Sequence, residues 1–276
     1  MTTSATQSEK ANRFQALHQG PGAFVIANVW DAGSARLLAG LGFPALATSS
    51  GASAGILGRR DGQVTRAEAL SQARSMVQAT DLPISADLEK GFGDAPAIVA
   101  ETVHLAAATG LVGCSIEDAT GNQAQPLYDM GYATERVAAA VEAARALPFP
   151  FTLTARAENF IRGNPDLDDT IRRLQAFAAA GADVLFAPGL PDLAAVAAVC
   201  GAVPKPVNFM VGIRGKSFTV AELAAAGVKR ISLAGSLYRA AMSSVLAAAR
   251  EVQETGTFGY LDHVLTSAEW NSYIGA

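Results

Sequence analysis

The sequence predicts an α/β protein that folds as a single (β/α)8 barrel of the TIM type. Short apolar or β-branched runs that end in polar or glycine residues alternate with alanine-rich stretches of helical spacing, which predicts strands that pair in parallel. The alternation recurs at intervals of roughly 30 residues, as βαβ units do. The chain has 276 residues, half of them apolar. Barrels of about 250 residues commonly form one domain, and eight such units indicate a closed barrel rather than an open sheet.

Turn and capping residues support the predicted order of elements. Thr65 and Glu68 form a capping-box pattern before a helix, and Ala-Gly pairs recur where helices should end. The strand candidates are Phe24–Asn28, Ala45–Thr48, Ile84–Asp87, Gly113–Glu117, Phe151–Ala155, Val184–Ala187, Val207–Met210 and Arg230–Leu233. The helix candidates are Ser34–Gly40, Arg66–Ala79, Ala95–Thr109, Thr134–Leu147, Leu167–Ala180, Leu193–Cys200, Val220–Ala226 and Ser236–Glu254.

We expect one domain over residues 1–276, with an N-terminal extension at 1–15 and a C-terminal tail at 256–276. The tail contains aromatic residues that should pack on something, and a neighbouring subunit is one candidate. Charged residues make up 17% of the chain, below the roughly 25% of typical soluble domains. Part of the surface is therefore expected to be covered in a homodimer or homotetramer.

Composition also excludes several classes of partner. The net charge is −4 and basic residues form no stripe, which argues against nucleic acid and anionic membranes. The first twelve residues lack the apolar segment of a signal peptide, and no uninterrupted apolar run is long enough to span a bilayer. Cys114 and Cys200 are far apart in apolar segments, so a disulfide framework is not expected. A cytoplasmic protein fits these features.

Carboxylates at two strand ends predict a metal site. In a barrel the active site lies at the carboxyl ends of the strands. Asp87 and Glu89 follow the third strand candidate, and Glu117 ends the fourth. Hard oxygen ligands of this kind suit Mg²⁺ or Mn²⁺, and Asp87 and Glu89 would point the same way on an extended backbone. The alternative is that these acids are helix caps or surface groups, and for Asp118 the two interpretations are balanced.

Other strand ends supply candidate substrate ligands. Arg156 can grip a carboxylate through two hydrogen bonds, although it could instead form a salt bridge in the barrel mouth to Glu158 or Asp87. The loop 48–53 offers main-chain amides as an anion-binding nest, a weak signal by itself. Trp30 and Asn208 lie at further strand ends.

Three other kinds of chemistry are disfavoured. The three histidines, His18, His104 and His263, lie away from the strand ends, so a zinc site or a Ser-His-Asp triad is not expected. A Schiff-base mechanism needs a lysine inside the barrel, whereas Lys205 and Lys229 precede their strands.

Five motifs follow one another over the first two thirds of the chain. They are residues 28–32 (Asn-Val-Trp-Asp-Ala), 48–51 (Thr-Ser-Ser-Gly), 86–93 (Ala-Asp-Leu-Glu-Lys-Gly-Phe-Gly), 113–118 (Gly-Cys-Ser-Ile-Glu-Asp) and 155–160 (Ala-Arg-Ala-Glu-Asn-Phe). Together they resemble the isocitrate lyase/phosphoenolpyruvate mutase superfamily. The resemblance implies a barrel whose last helix is exchanged between subunits of a dimer or tetramer. It also implies cleavage or formation of a C–C or C–P bond beside a 2-oxo acid, through an enolate that Mg²⁺ stabilises.

The resemblance implies roles for particular residues. Asp87 would bind Mg²⁺, with Glu89 and Glu117 acting directly or through water. Arg156 and the amides of Ser49, Ser50 and Gly51 would hold the substrate carboxylate, with Trp30 and Asn208 as further substrate-binding candidates.

The sequence departs from the lyases in its mobile loop. The isocitrate and methylisocitrate lyases carry a Lys-(Lys/Arg)-Cys-Gly-His element there, whereas residues 119–129 contain no Cys, His or Lys. The lyases also carry a Glu at the sixth strand, where this chain reads Phe-Ala-Pro-Gly at 186–189. Catalytic candidates besides Arg156 are therefore Asn122, which resembles part of the mutase lid, and Tyr128; Asp118 or a metal-bound water is a further alternative.

A decarboxylase of an oxaloacetate-like acid needs least from this loop, because carbon dioxide leaves without being protonated. A retro-aldol lyase of a methylisocitrate-like acid would need a base for the substrate hydroxyl. Both remain open, as do a phosphonopyruvate mutase or hydrolase and a non-catalytic barrel that binds a 2-oxo acid.

Overall fold

The computed structural model describes residues 5–274 and confirms the closed parallel barrel. The barrel strands are β1 (Phe24–Asn28), β2 (Leu46–Ala47), β3 (Ile84–Asp87), β4 (Gly113–Glu117), β7 (Thr152–Arg156), β8 (Val184–Phe186), β9 (Val207–Met210) and β10 (Arg230–Ser232). Around the barrel they follow the order β1-β10-β9-β8-β7-β4-β3-β2. Each neighbouring pair is parallel, as expected where a helix returns the chain to the start of the next strand.

The predicted outer helices are all present, with some boundaries shifted. One of them begins at Met130 rather than Thr134, because Asp129 caps it by accepting a hydrogen bond from the Gly131 amide. The helices are α1 (Gln7–Gln19), α2 (Ala32–Gly40), α3 (Ser50–Ile56), α4 (Arg66–Ala79), α5 (Pro96–Ala107), α6 (Met130–Arg145), α7 (Leu167–Ala179), α8 (Leu193–Ala202), α9 (Val220–Ala225), α10 (Ser236–Thr255) and α11 (Ser267–Ile274). Short 3-10 helices lie at Asn159–Ile161 and Gly259–His263.

Helix α1 occupies most of the predicted N-terminal extension. This helix was not predicted because its sequence is polar, although Thr6 and Glu9 form a capping box at its start. Phe14 and His18 are buried, and His18 lies beside the strand residues Phe24 and Arg230. The helix therefore covers the amino end of the barrel. Residues 1–4 of the extension and 275–276 of the tail lie outside the described residues.

A buried arginine crosses the interior of the barrel. Arg230 donates from Nε to Asn208 Oδ1 at 2.8 Å and from Nη2 to Thr154 Oγ1 at 3.0 Å. Desolvation by burial lowers the pKa of the guanidinium to about 9. Its charge lies low in the barrel, beneath the polar side chains of the mouth.

The C-terminal tail packs on its own barrel, whereas the last long helix contacts the barrel through its first turn and is mostly exposed beyond it. In α11, Trp270 lies beside Gly33 and Tyr273 beside Gly40, so the tail covers α2. By contrast, none of the residues of α10 is buried. Within residues 5–274, no helix combines the length and apolar character needed to cross a membrane.

Candidate active site

A cavity of about 450 Å³ opens at the carboxyl ends of the strands. This is the end at which barrel enzymes place their active sites. Five of the predicted substrate-binding positions line it: Ser49, Ser50, Gly51, Arg156 and Asn208. The predicted loop at 48–53 is in fact the first turn of α3, which Ser49 caps by accepting a hydrogen bond from the Ala52 amide. The candidate amides therefore belong to a short helix rather than to an irregular nest.

Arg156 links three carboxylates at the mouth. Its guanidinium lies 2.9 Å from Asp87 Oδ1, 3.3 Å from Glu117 Oε2 and 2.8 Å from Glu158 Oε1. A second arginine, Arg162, bridges the outer oxygens of Glu117 and Glu158, both at 3.1 Å. We call these five residues with Glu89 the acid cluster. The salt bridge proposed as the alternative role of Arg156 is therefore present, and it joins the acids of β3 and β4 to β7.

Neighbouring strands fix the position of Asp87. Its amide donates to Thr48 Oγ1 at 3.0 Å, and its Oδ2 accepts from the Ser50 amide at 3.2 Å. Glu89 does not extend the strand, because β3 ends at Asp87 and Glu89 has a φ of 50°. The expectation that both acids point the same way on an extended backbone is therefore wrong. Glu89 is tied to Asp87 instead through its amide, which lies 3.3 Å from Asp87 Oδ1.

The acid cluster carries more negative than positive charge. Burial, together with the charges of Asp87 and Asp61, raises the pKa of Glu89 to about 7. Burial and the charge of Glu158 raise the pKa of Glu117 to about 8. If all four carboxylates ionise, the two guanidinium groups leave two negative charges uncompensated. A divalent cation would supply the missing charge.

The donor set fits Mg²⁺ or Mn²⁺ bound mainly through water. Within residues 5–274, no three His, Cys, Asp or Glu side chains converge as a ready-made cage. Mg²⁺ does not need one, because it keeps several waters and takes only one or two carboxylates. Asp87, which lines the cavity, would be the direct ligand, and Glu89 and Glu117 would act directly or through water.

The hairpin residues predicted to be catalytic do not reach the cavity. The mobile-loop segment forms an antiparallel hairpin, β5 (Ala119–Asn122) and β6 (Gln125–Leu127). Asn122 is exposed and accepts from the Ala124 amide at 3.0 Å. Tyr128 donates its hydroxyl to Asp94 Oδ1, and its pKa is raised by burial and by that carboxylate. Neither side chain lines the barrel-mouth cavity in this structure.

Asp118 faces away from the cavity and is part of a buried ion pair. Its Oδ2 accepts from Arg173 Nη1 at 3.1 Å, and its Oδ1 accepts from the Glu158 amide at 2.8 Å. The same Arg173 nitrogen donates to the Tyr128 carbonyl at 3.0 Å, so it joins both ends of the hairpin. The role of Asp118 is therefore to hold the base of the hairpin and the segment after β7.

Trp30, a predicted substrate-binding residue, does not line the cavity itself but packs edge-on against Tyr238, which does, with ring centroids 5.6 Å apart. Tyr238, Arg162 and Arg230 are site residues that were not anticipated from the sequence. Arg162 joins the acid cluster from a turn beyond the end of β7, and its position in the sequence does not indicate that it belongs to the site. Arg230 lines the floor although it begins its strand, because its long side chain crosses the barrel.

Comparison with known proteins shows the family of this chain. Residues 14–253 match the family model described as phosphoenolpyruvate phosphomutase. The chain belongs to this family. Its relatives are enzymes of the lyase and mutase type, so the non-catalytic interpretation loses its support.

Three similar proteins bear on which reaction the chain could catalyse. An oxaloacetate decarboxylase of Bradyrhizobium diazoefficiens is 33% identical over 72% of this chain and 69% of its own length. A Burkholderia cenocepacia J2315 structure, described only as a candidate lyase/mutase, shares 52% identity with a TM-score of 0.96 and covers 98% of this chain and 97% of its own. A phosphoenolpyruvate phosphomutase from Streptomyces platensis subsp. rosaceus shares 29% identity with a TM-score of 0.86, over 96% of this chain and 95% of its own.

Proposed function

We propose that this protein is a Mg²⁺- or Mn²⁺-dependent carbon–carbon lyase that decarboxylates a small 2-oxo dicarboxylic acid such as oxaloacetate. The observation that carries the proposal is the pairing of Asp87 and Arg156, 2.9 Å apart at the cavity, with a hairpin that directs no acid or base into that cavity. The similarity to the Bradyrhizobium oxaloacetate decarboxylase supports the same reaction.

The chemistry of decarboxylation matches what the site offers. When the bond between C3 and C4 of oxaloacetate breaks, its electron pair moves into the 2-oxo group and forms an enolate, while carbon dioxide leaves without a proton. The enolate then takes a proton from water at C3 and becomes pyruvate. A retro-aldol cleavage would also need a base to remove a hydroxyl proton, and neither Tyr128 nor Asn122 is directed towards the cavity.

The chain supplies binding, orientation and charge for this reaction. When bound beside Asp87, the divalent cation would supply Lewis-acid polarisation of the 2-oxo group. That cation would also compete for Asp87 and Glu117, and the Arg156 guanidinium would then be available for the substrate carboxylate while keeping its contact with Glu158. Ser50 and Gly51, at the first turn of α3, line the same wall and would orient the carboxylate.

The test is an assay of pyruvate formation. Purified protein is incubated with Mg²⁺ or Mn²⁺ and separately with oxaloacetate, 2-methylisocitrate and phosphonopyruvate, against blanks that contain metal alone. We expect pyruvate from oxaloacetate well above the blank, and loss of that activity in Asp87→Ala. Pyruvate no faster than the metal-only blank would exclude the decarboxylase, and calorimetric binding without turnover of any substrate would indicate a non-catalytic barrel.

A phosphonopyruvate mutase or hydrolase is the second candidate. The matched family model and the similarity to the Streptomyces phosphomutase favour it. Phosphorus NMR on phosphonopyruvate would separate the two products, since a mutase moves the phosphoryl group to oxygen and a hydrolase releases phosphate.

The exposed last helix supports a proposed assembly. Helix α10 and the segment after it expose Met242, Val245, Leu246, Phe258 and Leu261, and large exposed apolar surfaces usually mark an interface. We propose a homodimer or homotetramer in which α10 packs on a neighbouring subunit, and light scattering of the purified protein would show a monomer if this is wrong. A cytoplasmic location stays part of the proposal, and the free cysteines Cys114 and Cys200 are compatible with it.

A further inference from the structure

Arg136 is a buried arginine that the proposed reaction does not use. It lies on α6, outside the barrel, and its side chain is only 1% exposed. Arginine is rarely buried so completely unless its charge and its donors are satisfied. The partners of Arg136 therefore indicate why the fold keeps a cation there.

All the hydrogen-bond acceptors of Arg136 are main-chain carbonyls of two segments. Its Nε donates to the Asp94 carbonyl at 2.9 Å, and Nη2 donates to the Gly93 carbonyl at 2.9 Å and to that of Lys90. Its Nη1 donates to the Glu117 carbonyl at 3.2 Å. The planar guanidinium thus joins the segment after β3 to the end of β4, two neighbouring strands that carry the proposed cation ligands.

The segment after β3 has a backbone that needs such support. Glu89 and Phe92 adopt left-handed conformations, with φ of 50° and 61°, which residues with a Cβ seldom adopt. Buried carbonyls in an irregular segment also need donors, because no sheet partner supplies them. Thr102 Oγ1 donates to the Gly91 carbonyl at 2.8 Å, and Arg136 supplies the donors for Lys90 and for Gly93.

The same arginine fixes Glu117 relative to Glu89. The Glu117 amide donates to the Glu89 carbonyl at 3.0 Å, and the Glu117 carbonyl accepts from Arg136. The backbone of Glu117 is therefore held at two points. Its amide bonds directly to the segment that contains Glu89, and its carbonyl is linked to that segment through the Arg136 guanidinium. The Tyr128 ring, 4.3 Å from the Arg136 guanidinium carbon, packs over the guanidinium and keeps it in place.

We propose that Arg136 is a positioning residue for the cation site, which sets the spacing of Glu89 and Glu117 through their backbones without touching cation or substrate. The inference rests on the proposed function, since it requires a cation at the acid cluster. A lysine at this position would keep the charge, but a single ammonium group cannot reach carbonyls spread over both segments as the guanidinium fork does.

The test is the affinity for Mn²⁺, measured by calorimetry on Arg136→Lys and on a matched control, Val137→Ala. Val137 is the next residue of α6 and is buried in the core, so its truncation loosens the same helix without touching the carbonyls. We expect Arg136→Lys to weaken Mn²⁺ binding by about 10- to 100-fold, the usual effect of losing a group that orients metal ligands. Val137→Ala should lower the melting temperature and leave the affinity within about twofold.

Turnover adds a readout that a purely structural role would not move. In Arg136→Lys the Mn²⁺ concentration for half-maximal activity should rise by the same factor as the dissociation constant, while kcat at saturating Mn²⁺ stays within about threefold of wild type.

The outcomes separate this inference from the proposed function. Failure of the wild-type protein to bind Mn²⁺ would overturn the proposed function itself. Binding by the wild type, with unchanged affinity in folded Arg136→Lys, would overturn the role of Arg136 alone. If Arg136→Lys does not fold, Tyr128→Leu removes the ring over the guanidinium, and Tyr128→Phe, which loses only the hydroxyl bond to Asp94, is its control. A severalfold loss of affinity is then expected in Tyr128→Leu but not in Tyr128→Phe, and no loss in Tyr128→Leu would refute the inference.

Discussion

Cation binding to this protein should release protons from the acid cluster. Burial and neighbouring carboxylates raise the pKa of Glu89 to about 7 and that of Glu117 to about 8. Carboxyl groups bind a metal ion in their ionised form. A cation that binds to Glu89 and Glu117 must therefore displace the protons that these groups hold. The affinity for Mn²⁺ should therefore increase as the pH rises through this range.

The magnitude follows from the two pKa values. Near neutral pH, Glu89 holds about half a proton and Glu117 close to a full one, so binding should release between about one and about one and a half protons. The apparent dissociation constant should then fall by about two to three orders of magnitude between about pH 6 and about pH 8.

Calorimetry in buffers of different ionisation enthalpy measures this release directly. Glu89→Gln should reduce the number of protons released, because one of the two titrating groups is gone. Glu68→Gln is the matched control: Glu68 caps α4, does not line the cavity and has a pKa lowered to about 2, so this substitution should leave the number of protons released unchanged. An affinity that does not depend on pH, or heats that do not depend on the buffer, would show that the cation displaces no protons from Glu89 and Glu117.

Three further substitutions test other parts of the structure. Asp87→Asn should lower kcat/KM by at least about 100-fold, since it removes the carboxylate proposed to bind the cation; activity near wild type would contradict its role. Arg173→Met should cost about 3–5 kcal/mol in urea unfolding, because it leaves Asp118 buried and unpaired, whereas the exposed neighbour Arg172→Met should cost less than about 0.5 kcal/mol; equal losses would refute this. Gly113→Ala should lower the melting temperature, because a Cβ there would lie 2.6 Å from the carbonyl oxygen of Thr152; an unchanged melting temperature would show that β4 can shift.

The barrel and the centre of the site could be predicted because both follow from local pattern. Strands that alternate with helices must pair in parallel, so residues that end neighbouring strands meet at one rim. Asp87, Glu117 and Arg156 end β3, β4 and β7, and the structure brings them together. Their types and positions were enough to predict a cluster of acids around an arginine.

The remaining features depend on contacts between distant parts of the chain. The direction of the Tyr128 side chain is set by the hydrogen bond of its hydroxyl to Asp94 and by the hydrogen bond from Arg173 to its carbonyl. The hairpin sequence reveals neither contact. The left-handed turn at Glu89 could not be read from a residue type that seldom adopts it. Helix α1 was missed because its polar sequence lacks the apolar periodicity on which the other helices were predicted.

The most direct test of the proposed cation site is anomalous diffraction at the manganese edge from crystals grown with Mn²⁺ and oxalate, whose adjacent oxygens mimic an enolate of a 2-oxo acid. We expect one manganese peak within coordination distance of the Asp87 carboxylate, with oxalate between it and the wall formed by Ser50, Gly51 and Arg156. A manganese ion elsewhere, with the salt bridge between Arg156 and Asp87 intact and the cavity without oxalate, would contradict it.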